Sequence, residues 1–135
     1  MMLHLLRAEI CMPYRRTENV VRRLAARHEA ILAAACEIAA ADGMGGVQIA
    51  PVAERAGIAT GTVYRYFPSK TELVAALVAA LADDEMAALG EAAKSAPGPL
   101  SALAAAIATF AARALARRRL AFALTAEAVE PEIDR

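Results

Sequence analysis

Apolar residues recur along the chain at intervals of three and four, the period of helices packed on one side. Leu24, Ile31, Ala35 and Ile38 share one face, with Arg27, Glu29 and Glu37 off it, which predicts a first helix from near Val20 to near Ala41. Asp42-Gly43 stops it, and Gly45-Gly46 prolongs the break. Short helices are predicted over Ile49–Ala56 and Thr60–Phe67, a longer one over Lys70–Leu89, and two more over Pro99–Ala116 and Arg118–Val129. Pro51 falls in a first helical turn, where a missing N–H costs nothing. Ser69-Lys70-Thr71-Glu72 opens the longer helix as a capping box. On that helix Leu73, Leu77 and Leu81 repeat every fourth residue beside Val74 and Val78. The helix from Pro99 carries Leu100, Leu103, Ile107, Phe110 and Ala114 on one stripe, and such stripes read first as core packing. No stretch alternates long enough to make a strand, so the expected fold class is all-α.

Composition narrows how these helices pack. Hydrophobic residues make up 59% of 135, which excludes a disordered chain, yet nearly half of them are Ala and aromatics are only 4%. With few large side chains available, helices must approach closely through small ones. Fifteen basic and fifteen acidic residues cancel, which excludes a uniform polycation but not a local patch. Arg15, Arg16, Arg22, Arg23 and Arg27 meet only Glu18 at the front, while the chain beyond Leu81 is mildly acidic. That asymmetry points to an anionic partner for the front end.

Cys11 and Cys36 are too few for a zinc site, and His4 and His28 lack ligand spacing, so no metal and no cofactor is expected. His28 reads as a surface residue of the first helix. Cys36 reads as a small core residue of a reduced, cytoplasmic protein. The uncharged stretch Ser95–Ala112 is interrupted at Pro97-Gly98-Pro99, and what remains is shorter than the ~20 residues a span requires, so no membrane partner is expected. The first residues lack the pattern of a signal peptide. They read as a flexible tail over residues 1–19, with Met12 an alternative start.

The informative segment is IAPVAERAGIATGTVYRYF, from Ile49 to Phe67. Two helices too short to stand alone are joined by a three-residue turn. Ala53 must be small where the second crosses the first, and Gly57 sits where the turn needs positive φ. Val52, Ala56, Ile58 and Val63 lock the pair. This is the spacing of a helix-turn-helix, whose second helix enters the DNA major groove. Its outward residues suit that task. Thr60 and Thr62 place short hydroxyls at a helix start that favours phosphate. Gly61 admits a close backbone approach. Tyr64, Arg65 and Tyr66 can reach phosphates or base edges, and Lys70 can hold another phosphate.

TGTVYRYFPSKTEL, preceded by VAERAGIA, resembles the DNA-binding domain of TetR-family transcriptional regulators, over roughly Arg27 to Leu89. The resemblance implies a homeodomain-like three-helix unit over residues 20–69. A connecting helix and a partial effector and dimerisation domain would follow over 70–135. It implies double-stranded DNA as partner, a small hydrophobic effector of the full-length form, and dimerisation. Thr60, Gly61, Thr62, Tyr64, Tyr66 and Lys70 match DNA-contacting positions, with Arg65 a further contact, and Arg22, Arg23 and Arg27 resemble the basic arm before the first helix.

Two departures stand out. Gln48, a poor N-cap, replaces the usual Ser or Thr. Beyond Gly90 the chain is much shorter than the family's regulatory half, as if truncated. The expected function is a DNA-binding repressor. The alternative is a truncated interaction module that pairs with a full-length relative and modulates its DNA binding; by resemblance the chain would form a homo- or heterodimer. No Ser/His/Asp, Cys/His or Glu-x-x-His constellation suggests an enzyme.

Overall fold

A single long helix carries the rest of the fold. The computed structural model describes residues 5–126, in which α1 spans Leu5–Asp42. A 3₁₀ turn, Met44–Gly46, leads to α2 (Ile49–Ala56), α3 (Thr60–Tyr66), α4 (Lys70–Lys94), α5 (Pro99–Ala116) and α6 (Arg118–Ala126). The described residues contain no strand.

Two boundaries differ from expectation. α1 begins at Leu5 rather than near Val20, because Leu, Arg, Ala and Glu dominate the segment and only Pro13 in it opposes a helix. α4 runs to Lys94 rather than Leu89, passing through Gly90. A glycine in a helix interior costs about 1 kcal/mol, less than the surrounding Ala and Glu recover. The expected end of the last helix at Val129 lies outside the described residues.

The core forms where α1, α2, α3 and the start of α4 meet. Ile31, Val47, Val52, Val63, Leu73 and Leu77 are fully buried. Each contributes roughly 1.5–3 kcal/mol of burial. Ala34, Ala35, Ile38 and Ala39 complete the α1 side, and Cys36 packs partly against it as a free thiol. Leu24, expected on this face, is 52% exposed, because α1 at that point has run beyond its neighbours. Gly46 permits the turn to close on α1: a Cβ there would stand 2.9 Å from that of Asp42.

α4 and α5 form a hairpin whose inner face is made of small residues. Ala102, Ala105, Ala106 and Thr109 are half-buried, and Leu100, Leu103, Ile107 and Phe110 lie outward and exposed. The expectation that this large apolar stripe is core is thus corrected: α5 has no buried residue. α5 is also 18 residues of mean hydropathy 1.5, which by length and composition alone reaches the range of a membrane span. Its far end is tied to α4 by Arg113, whose Nη2 donates to Asp84 at 2.6 Å and Nε to Glu85 at 2.7 Å. The bond to Glu85 raises the guanidinium pKa further above its ordinary value. α6 returns to α1, burying Leu120 and Ala123 in the main core.

Candidate nucleic-acid interface

α2 and α3 are too short to persist alone, and their stability comes from what they cover. α2 lays Ile49, Val52 and Ala53 on the core. Arg55 on its outer side donates to Glu37 of α1 at 3.0 Å, an exposed pair worth at most about 1 kcal/mol. Gln48 gives α2 no side-chain cap and instead donates from Nε2 to the Gly45 carbonyl at 3.1 Å, in keeping with its poor capping character.

The turn is closed by two backbone bonds. The Gly57 N–H donates to Glu54 at 3.1 Å and the Ile58 N–H to Ala53 at 3.0 Å. Gly57 has φ 67°, as the spacing requires. Ala53 is 2% exposed beneath this crossing, and Ile58 and Ala56 pack partly against the core.

α3 turns Val63 and the following Phe67 inward, and this single anchor line fixes what faces out. Thr60, Gly61, Tyr64 and Arg65 are exposed, with Thr62 and Tyr66 half-buried. A Cβ on Gly61 would have nothing within 4 Å. No packing inside the chain therefore calls for glycine there. Lys70 is exposed in the first turn of α4, which Ser69 caps by accepting from the Glu72 N–H at 3.1 Å. Of the aromatics that could have been plain core, only Phe67 is; Tyr64 stays 49% exposed.

The basic arm is helical. Arg22, Arg23 and Arg27 are exposed on α1, in a stretch, residues 17–30, with no buried position. Among the described residues, the side chains of Arg22, Arg23, Arg27, Thr60, Thr62, Tyr64, Arg65, Tyr66 and Lys70 make no hydrogen bond or ion pair. Arg55, Lys94, Arg113 and Arg117, by contrast, all meet carboxylates. Unpaired cations therefore gather on α1, α3 and the start of α4, with a second pair, Arg118 and Arg119, at the start of α6.

One residue of this region escapes sequence reasoning. The His28 ring lies 5.0 Å from Phe67 and 6.4 Å from Tyr66, centroid to centroid, linking the arm to the end of α3. Only tertiary packing brings them together. No group of three or more potential metal ligands occurs among the described residues.

The chain is similar to known proteins over part of its length. The profile of the family described as "Bacterial regulatory proteins, tetR family" matches residues 31–77. The chain is similar to the HTH-type transcriptional repressor KstR of Rhodococcus jostii, with 52% identity over 56 residues, 42% of this chain and 25% of that protein. KstR of Mycolicibacterium smegmatis is 52% identical over 48 residues, 36% of this chain and 24% of the relative. The matched segment thus spans about a quarter of these curated relatives. A crystal structure of a transcriptional regulator from Rhodococcus sp. Rha1 aligns with a TM-score of 0.47 at 29% identity, over 70% of this chain and 59% of that one.

Proposed function

We propose that the chain, whose residues 31–77 match the profile of the bacterial tetR regulatory family, is a TetR-type regulator that binds double-stranded DNA through its helix-turn-helix and represses transcription. The observation that carries this reading is the unpaired outward face of α3, continuous with unpaired cations on α1 and α4. α3 enters the major groove. Thr62 and Arg65 read base edges there, and Thr60, Tyr64, Tyr66 and Lys70 hold phosphates. Gly61 lets the α3 backbone approach the sugar–phosphate chain. Arg22, Arg23 and Arg27 contact the flanking backbone. The relatives named as repressors share half of the residues in the matched segment, which supports repression as the outcome of binding.

Selection of bound duplexes from a random pool tests the proposal. Enrichment of a defined half-site sequence is expected, and equal retention of all sequences would overturn specific readout.

A second property rests on a separate observation. The outward stripe Leu103, Ile107 and Phe110 leaves large apolar side chains in water, and a partner that covers it completes the hairpin. The partner is a second copy or a longer relative, either of which brings two recognition helices to one operator. Leu120 of α6 is buried against α1, so pairing falls to α5. Release by a small hydrophobic effector belongs to the regulatory half of the longer family form. The clefts of 590 and 560 Å³ beside α6 lie open to solvent, where a ligand would keep much of its surface wet.

A further inference from the structure

His28 is exposed, yet its ring is held. Phe67, 4% exposed and fixed in the core, lies 5.0 Å away at an interplanar angle of 36°, and Tyr66 lies 6.4 Å away at 56°. Packing on these rings uses the carbon framework of the imidazole. Its nitrogens make no hydrogen bond or ion pair among the described residues. A leucine or phenylalanine would serve the packing equally well, so the nitrogens have no use inside the chain. Arg27 precedes His28 on α1, and Tyr66 is its ring neighbour on α3.

We propose that His28 is a further DNA contact, donating a ring N–H to a backbone phosphate beside the one Tyr66 reaches. This rests on the DNA-binding reading above. It makes the arm and the recognition helix one continuous surface, with the imidazole seated at their junction.

The packing on Phe67 and Tyr66 belongs to the ring and the phosphate contact to its nitrogens, so the two are separable by substitution.

The test is a fluorescence anisotropy salt series. The probe is a fluorescein-labelled duplex enriched from a random pool by the full chain. The variants are His28→Phe, His28→Ala and His28→Lys. His28→Phe should weaken binding by about fivefold, the loss of one hydrogen bond, while leaving the melting temperature unchanged. His28→Lys should retain the affinity, and His28→Ala should lose both affinity and some thermal stability. Parental slopes and affinities in His28→Phe would show that the ring only packs, and would overturn the proposal with DNA binding intact. Failure of the parent to enrich any duplex would overturn the DNA-binding reading and this one with it.

Discussion

The N–H of Ile58 donates to the carbonyl of Ala53 at 3.0 Å, closing the turn between α2 and α3. It can form only because Gly57, between them, adopts φ 67°. A Cβ at Gly57 would have nothing within 4 Å, so the cost of replacing it is backbone strain alone, without a clash. Gly57→Asn should be mild, since Asn tolerates the left-handed region. Gly57→Ala should cost about 1 kcal/mol, and Gly57→Val more. Far-UV circular dichroism melts would check the order; equal melting of all three would mean the turn is not strained as described.

Beneath the same turn, Ala53 is 2% exposed with α3 crossing over it. Ala53→Leu should overpack the crossing and destabilise the chain by roughly 1–3 kcal/mol. Urea midpoints of the parent and the variant measure this, and an unchanged midpoint would place α3 elsewhere.

Gly61 separates folding from binding. It sits in α3 with open space where a side chain would be, so Gly61→Ala should leave stability unchanged or raise it by up to about 1 kcal/mol. The added methyl would keep α3 from approaching the DNA backbone, and affinity should fall by tenfold or more on the order of 1.4 kcal/mol. A variant that melts higher and binds as well as the parent would refute a close approach at this position.

How far the sequence was readable follows from what each signal measures. Gly and Pro punctuate the chain, so α2 and α5 were bounded correctly, Ile49–Ala56 and Pro99–Ala116. Gly90 misled because one glycine lowers helix stability without ending a helix, and α4 gains enough from packing on α5 to pass through it. Periodicity showed that Leu103, Ile107 and Phe110 share a face, but not whether anything covers it. The small residues on the opposite face of α5 are what turn toward α4. The candidate interface was legible because its residue types lie within one short segment. The His28–Phe67 contact joins residues far apart in the chain, and no local pattern encodes it.

Readout and anchoring should separate by residue. Thr62→Ala and Arg65→Ala should relax preference at individual base pairs, each by about 1–3 kcal/mol where the contact is to a base edge. Lys70→Ala should weaken binding to all sequences alike. Removing Arg22 and Arg23 together should flatten the salt dependence by up to about 1.8 in slope, at about 0.9 per charge, without moving the preferred site. Selection of bound sequences for each variant distinguishes the classes. A changed site preference in the double arginine variant would mean that the helical arm reads bases.

Pairing is expected to fall to α5. A single helix-turn-helix unit covers little DNA, so tight operator binding requires two units about one helical turn of DNA apart. Within the described residues, Leu103, Ile107 and Phe110 form an exposed stripe, 59%, 60% and 55% accessible, on the face of α5 away from α4. Because the inner face is alanine-lined and already occupied, a charge on the outer stripe should leave the fold of the single chain intact. Ile107→Glu and Phe110→Glu should therefore abolish self-association and pairing with a longer relative while changing the melting temperature little. The isolated chain should associate weakly and bind a full operator poorly, since one short stripe buries little area. Sedimentation velocity over a concentration series measures the association directly. A tight, discrete dimer that survives both glutamates would place the interface away from α5.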